Sequence, residues 1–209
     1  MMFKDRKDAG RKLARELIKQ KIKADIVLAI PRGGIPVAFE VAKALKIKLD
    51  VIIPRKLPIP YDPEAGFGAV IDNEVSLNYN LLKYLKLNKK EINKIVKEVK
   101  QEIKRRMEVY RGKKPLSKVK GKTVIVVDDG LASGFTMLAA VKHLQRKKAN
   151  VIIAVPVASL SAYQLLRDKA KLICLNVSDE AIFAVANFYK EWRDLSDDEV
   201  ISYLEKAEK

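Results

Sequence analysis

Apolar residues recur along the chain at two spacings, and the spacing names the element. In Arg6 to Gln20, Ala9, Leu13, Leu17 and Ile18 mark an amphipathic helix laid over a core. Ile26 to Ile30 is a short apolar strand, after which Val37, Val41, Ala44 and Leu45 resume the helical period. Leu49 to Ile53 is a second strand. Gly68 to Ile71 and Glu74 to Leu77 flank Asp72-Asn73 and read as a hairpin. Asn88 to Arg111 is the clearest helix: Asn88 and Glu91 open it as a capping box, and Ile92, Ile95, Val96, Val99, Ile103 and Tyr110 form its stripe. Gly112 with Pro115 closes it. Val124 to Val127 is β-branched throughout, as expected of a parallel strand buried on both faces, and Thr136 to Lys147 follows as a helix. Strand Val151 to Val155, a loop over Pro156 to Ser161, helix Ala162 to Asp168 and strand Leu172 to Leu175 complete the alternation. Strands alternating with helices predict an α/β fold. Only L-P-I-P-Y-D-P-E-A-G-F-G, from Leu57 to Gly68, breaks the pattern; its prolines and glycines suit neither a helix nor a central strand.

With 209 residues, 48% of them hydrophobic, the chain can bury one substantial core, most simply as a single domain. Met1 to Arg15 is charged and no apolar run reaches membrane-spanning length, so a cytoplasmic protein with no membrane partner is expected. One cysteine excludes an internal disulfide, and Cys174, inside an apolar run, reads as a structural thiol. His143 lies on the stripe Thr136, Ala140, His143, Lys147 and is expected at the surface, partly exposed. No Cys/His cluster suggests a structural metal. The net charge of +16 is uneven: Lys89 to Lys122 holds fourteen Lys/Arg against four Glu, and Asp179 to Lys209 nine acids against four bases. The basic helix reads first as a solvated face. It lacks the interleaved aromatics that stack bases, so nucleic acid is not the expected partner.

The chemistry concentrates in Lys122 to Leu138, K-T-V-I-V-V-D-D-G-L-A-S-G-F-T-M-L. Asp128 and Asp129 stand where the strand ends. Gly130, Ala132, Ser133 and Gly134 are small enough to let backbone N–H groups approach a ligand, and the helix start beyond them favours an anion through its free N–H groups and dipole. Acceptor oxygens beside an anion cradle suit the diol of a sugar 5-phosphate. Ser133 is displaced by one position from a G-x-S-x-G elbow, and no Walker motif is present. A second loop, Pro31-Arg32-Gly33-Gly34, precedes a helix with Pro36 in its first turn, and Pro54-Arg55-Lys56 follows the second strand.

Together these residues resemble the 5-phosphoribosyl-1-pyrophosphate (PRPP) motif of the type I phosphoribosyltransferases. The resemblance implies that Asp128 and Asp129 hold the ribose hydroxyls and that Gly130, Leu131, Ala132, Ser133, Gly134, Phe135 and Thr136 surround the 5-phosphate. Ser133 stands where the family usually has Thr, and Phe135 where it often has a second Gly. Ala132 occupies the place of the catalytic Asp of the 6-oxopurine branch. P-R-G-G is similar to the family's pyrophosphate loop, often built on a non-proline cis peptide, which assigns Arg32, Gly33, Gly34, Arg55 and Lys56 to the pyrophosphate. The proline-rich stretch lies where the family has a flexible catalytic loop; Tyr61, Asp62 and Glu64 would meet substrate on closure, or belong to an exposed turn.

The last segment, with F-A-V, Tyr189 and S-D-D-E-V, resembles the C-terminal part of one subgroup of such sequences. By that resemblance, residues of about 20–175 form a Rossmann-like core with a central parallel sheet flanked by helices. Residues of about 176–209 form a hood or cap with the N-terminal helix. Phe183, Phe188, Tyr189 and Trp192 would stack on a planar acceptor or serve as plain core. The implied activity is Mg2+-dependent transfer of the 5-phosphoribosyl group from PRPP to a nitrogen acceptor, a nucleobase-like compound by expectation, with release of pyrophosphate. Asp128, Asp129 and Arg32 would be catalytic, and Mg2+ would be held mainly by PRPP, with Asp128 and Asp129 reaching it through water. No residue declares itself the general base. Two alternatives stay open: a regulator on the same fold that binds nucleic acid through Lys97, Lys100, Lys104 and Arg105, and a PRPP-binding paralogue without turnover. Homo-oligomerisation is also open.

Overall fold

A computed structural model describes residues 2–72, 74–112 and 117–208, with 63–65 described through the backbone alone. The chain opens with α1 (Arg6–Lys19), β1 (Ile26–Ala29), α2 (Gly34–Leu45) and β2 (Lys48–Val51). A meander follows: β3 (Arg55–Ile59), β4 (Asp62–Ile71) and β5 (Glu74–Leu77). Next come α3 (Tyr79–Leu82), α4 (Lys89–Arg111), β6 (Thr123–Val127) and α5 (Phe135–Arg146). The chain continues through β7 (Asn150–Ser159), α6 (Leu160–Leu166) and β8 (Lys171–Ser178). A 3-10 turn at Val185–Phe188 then leads to α7 (Asp197–Ala207).

The apolar runs build a five-stranded sheet in the order β2-β1-β6-β7-β8, parallel throughout. Period-2 alternation sorts its side chains onto two faces. Val27, Ala29, Ile125, Val127 and Ala154 pack against Leu13 and Leu17 of α1, Val37 and Val41 of α2 and Val200 of α7. Leu28, Val124, Val126, Ile153 and Val155 pack against Met137, Val141 and Leu144 of α5 and Leu166 of α6. Each large side chain buried this way contributes about 1.5–3 kcal/mol, which is why β-branched runs identify the sheet so well. Ile18 falls outside the α1 stripe and is exposed.

Register places the chemistry. β1 and β6 are adjacent, with Ala29 opposite Val127, so the loops after both strands leave the sheet side by side. From this point α2 crosses one face towards β2, and α5 crosses the other towards β7. Such a reversal of strand order opens a crevice at the carboxyl ends of the strands.

Three expectations need correction. The proline-rich stretch does form strands: β3 and β4 pair antiparallel, with register shifts on both sides of Pro58, which lies opposite Gly66. A bulge is the place in a ladder where a proline's missing N–H costs least. The β4–β5 hairpin forms as expected, from Gly68 opposite Leu77 to Ile71 opposite Glu74, while Asn73 lies outside the described residues. Second, β7 does not stop before Pro156 but runs on to Ser159. β6 pairs with it only as far as Ala154, after which Leu131 takes that place, donating to the Val157 carbonyl and accepting from the Ser159 N–H, both at 2.9 Å. The pairs with β8 skip Pro156.

Third, His143 is not at the surface. It is 4% exposed, because the tip of the β4–β5 hairpin folds onto α5 and sets Asp72 Oδ2 3.3 Å from Nε2 and Glu74 Oε2 3.1 Å from Nδ1. The bond to Asp72 raises its pKa above the ordinary 6.5, burial opposes the rise, and Glu74 adds to it. A raised folded-state pKa contributes stability that is fully present below the ordinary value and is lost as pH rises through the folded value. The melting temperature of the wild type should therefore exceed that of His143→Gln most in acid and converge with it in alkali; a constant difference across the range would show that the ion pairs contribute nothing.

Helix α4 begins as expected. The Asn88 side chain accepts from the N–H groups of Lys90 and Glu91, and Glu91 returns a bond to the Asn88 N–H. Gly112 closes it at φ 56°, and Pro115 lies outside the described residues. The end of α4 also carries a buried ion pair that periodicity does not announce, Arg111 with Asp50 of β2 at 2.8 Å. Cys174 is half-buried, and burial pushes its thiol up to about 11, as fits a structural side chain. Among the described residues no helix is long and apolar enough to cross a membrane.

Candidate active site

The loops after β1 and β6 interlock. The Ile30 N–H donates to the Val127 carbonyl at 2.9 Å, and the Pro31-Arg32 peptide is cis. Gly33 has an ordinary helical φ of −58°, so conformational freedom does not explain it. Contact does: a Cβ there would lie 1.9 Å from Asp129 Oδ2, and one on Gly34 would lie 2.8 Å from the Val127 carbonyl oxygen. The two glycines let the Arg32 loop lie directly on the acid pair, which makes P-R-G-G and D-D parts of one structure.

Asp129 is tied down from three directions. Its carboxylate accepts from Arg6 Nε at 2.8 Å, its carbonyl accepts from the Tyr189 hydroxyl at 2.6 Å, and its N–H donates to Asp128 Oδ1 at 2.9 Å. Burial raises both carboxyl pKa values. Asp128 is raised further by the neighbouring charge of Asp129, whereas Arg6 acts against the rise at Asp129.

The loop expected to hold a phosphate turns sharply at its end. Gly134 adopts φ 74° as the residue before α5, a conformation that suits glycine, and α5 starts at Phe135, one residue earlier than the pattern indicated. Ala132 and Ser133 are exposed, while the buried Ser159 donates its hydroxyl to the Ala132 carbonyl at 2.6 Å. Nothing in the sequence singles out Ser159; it holds the loop open from below. Phe135 is 61% exposed and does not line the cleft, so its ring leaves the concave side of the loop clear.

A cleft of about 1080 Å3 opens over this loop. Pro31, Arg55, Lys56, Ala132, Ser133 and Thr136 line it together with Ser159, Ser161, Gln164, Asp179, Glu180 and Phe183. The structure thus brings Arg55 and Lys56 together with Ala132, Ser133 and Thr136. Asp128, Asp129, Arg32, Gly33 and Gly34 are not among its lining residues. The acids lie beneath the Arg32 loop, and Arg32 points towards α7, 3.8 Å from Asp197 Oδ1. Gly130 contacts Val185 of the C-terminal segment, and Leu131 is consumed in the pairing with β7. Burial, and then the nearby Arg106 charge, lower the Arg55 pKa.

The four aromatics of the C-terminal segment have different surroundings. Phe188 and Tyr189 are core against Phe3, Trp192 stacks on Arg6, and Phe183 alone of the four lines the cleft. Tyr61 stands 71% exposed at the β3–β4 tip, and the Glu64 side chain lies outside the described residues. On the basic helix, Arg105 is engaged by Glu102 at 2.9 Å and by Asp197 at 3.1 Å. Among the described residues no group of three or more His, Cys, Asp and Glu could hold a metal ion by itself.

Comparison with known proteins gives a consistent result. A family model described as "Phosphoribosyl transferase domain" matches residues 2–57 and 75–191. The chain is 37% identical over 209 residues to a Mycobacterium tuberculosis protein named "Putative phosphoribosyl transferase Rv0571c", a match covering 99% of this chain and 47% of the relative. The chain spans about half the length of the curated relatives it matches. The crystal structure of TT1426 from Thermus thermophilus is similar at TM-score 0.84 and 35% identity, covering 99% of both chains. That of purine phosphoribosyltransferase from Pyrococcus horikoshii is similar in fold alone, at TM-score 0.50 and 16% identity over 90% of each chain.

Proposed function

The chain belongs to the phosphoribosyl transferase domain family, and from that premise we propose that it moves the 5-phosphoribosyl group of PRPP to a nitrogen acceptor with release of pyrophosphate. The observation that carries this reading is the shared cleft: the Ser133 loop and the Arg55-Lys56 pair face one cavity, giving a ligand with an anion at each end two places to bind. Ser133, Thr136 and the amides at the start of α5 hold the 5-phosphate. Arg55 and Lys56 draw the pyrophosphate, with Arg32 at the neighbouring loop. Asp128 and Asp129 lie beside the cavity, beneath the Arg32 loop; in this reading their oxygens accept from the ribose hydroxyls, and their negative charge favours the oxocarbenium-like transition state.

The acid pair offers hard oxygen donors, too few to cage an ion alone, which fits Mg2+ held mainly by PRPP with Asp128 and Asp129 reaching it through water. Mg2+ would supply charge neutralisation for the departing pyrophosphate. On the hood side, Phe183 gives an acceptor ring a stacking face, and Gln164, Asp179 and Glu180 can accept from its N–H groups. Closure of the Tyr61 tip would exclude water, the competing acceptor.

PRPP with Mg2+ is expected to raise the melting temperature, and a panel of nitrogenous bases offered with PRPP should contain one that releases pyrophosphate. An unmoved melting temperature at millimolar PRPP would overturn the reading. A shift with no release from any base would reduce it to PRPP binding without turnover.

A further inference from the structure

Arg6 is the first residue of a surface helix, yet it is 8% exposed. Its Nε donates to Asp129 Oδ2 at 2.8 Å, its Nη1 donates to the Arg193 carbonyl at 2.7 Å, and its Cζ stands 3.7 Å from the centre of the Trp192 ring. The backbone closes the same junction. Phe3 N–H donates to the Phe188 carbonyl at 2.8 Å, while Lys190 and Glu191 donate to the Phe3 and Lys4 carbonyls at 2.9 Å. Tyr189 adds its hydroxyl to the Asp129 carbonyl at 2.6 Å. The segments 3–6 and 188–193 therefore form a clasp that converges on one carboxylate. Neither Arg6 nor Trp192 lines the cleft, so the clasp acts on the acid pair and not directly on a ligand in the cavity.

A buried ion pair is a poor device for stability, since desolvating both partners offsets most of their attraction. Its effect on Asp129 is more specific. The Tyr189 hydroxyl and the Asp128 carboxylate hold the Asp129 backbone, and Arg6 Nε holds Oδ2, so the guanidinium decides which way the carboxylate faces. Resting on the PRPP reading above, we propose that Arg6 is a positioning residue: it fixes the direction of the Asp129 carboxylate beneath Gly33, so that the acid pair meets the sugar diol as acceptors.

The test measures PRPP binding with Mg2+ and pyrophosphate binding without it, by calorimetry near neutral pH on the whole chain. PRPP carries the diol and pyrophosphate does not. Arg6→Met is expected to weaken PRPP by about tenfold, the worth of one misdirected hydrogen-bond acceptor, while pyrophosphate binding holds. Arg6→Lys should restore most of the loss. An equal fall for both ligands would make Arg6 mere fabric and overturn the proposal, as would unchanged PRPP binding. If Arg6→Met does not fold, Trp192→Leu loosens the clasp with Arg6 in place, and the same selective loss of PRPP must appear in it or the proposal fails. A wild type that binds no PRPP removes the underlying reading, an outcome distinct from a wild type that binds it with Arg6 indifferent.

Discussion

Replacing Asp128 and Asp129 together by asparagine is expected to abolish the melting-temperature rise that, on the proposed function, PRPP and Mg2+ would produce in the wild type. A ligand present at one hundred times its dissociation constant stabilises the folded state by about 2.7 kcal/mol, or about 5–11 °C for a chain of this size. Asparagine keeps the volume of each acid, but it replaces one acceptor oxygen with a donor and removes the charge that attracts a ribose becoming cationic. The amides at the start of α5, Ser133 and Thr136 are untouched, so a response to inorganic phosphate should survive in the variant. That response separates loss of the diol contact from loss of the fold. A full PRPP shift in the double variant would show that the acids do not hold the sugar.

Asp50→Ala should be among the most destabilising single changes away from the cleft. Asp50 is buried in β2; its Oδ2 accepts from Arg111 Nη2 at 2.8 Å and from the Ser117 hydroxyl, and its Oδ1 accepts from the Val51 N–H at 2.8 Å. Removing one partner of a buried pair leaves the other charge in a medium that solvates it poorly, which costs about 3–5 kcal/mol, or about 6–20 °C in melting temperature. Urea unfolding should show a lower midpoint with an unchanged slope. Replacing Asp50 and Arg111 together with apolar residues of similar volume should recover much of the loss, because no charge is then left behind. A loss under about 1 kcal/mol in Asp50→Ala would show that water reaches the site and that the pair ranks with surface ion pairs.

What sequence made legible here is what neighbouring residues decide among themselves. Val124 to Val127 must be a sheet centre because β-branched residues without polar interruption fit little else, and the small residues before α5 declare a tight loop by their size. Pairing across distance is harder. The register shifts around Pro58 fall where Gly66 lies opposite, and beyond Pro156 β7 is met by Leu131 in place of β6. His143 sits on a stripe that looks half-solvated until a hairpin tip 69 residues away in sequence covers it. Arg6 reads as an ordinary helix-start charge, and its two polar contacts lie 123 and 187 residues further along. Periodicity carries no trace of such partners.

The continuation of β7 past Ala154 bears on how the cleft meets its ligand. Leu131 pairs with the strand through both its N–H and its carbonyl, and the Ser159 hydroxyl holds the next carbonyl, so the first half of the phosphate loop is in effect a short sixth ribbon of the sheet. On the proposed function, a loop anchored in this way is in place before an anion arrives, so binding there would incur little conformational entropy cost. Adaptation to different acceptors would then fall to the other walls of the cleft, the β3–β4 hairpin and the acidic segment around Asp179, with the anion end a fixed datum against which a sugar would be aligned.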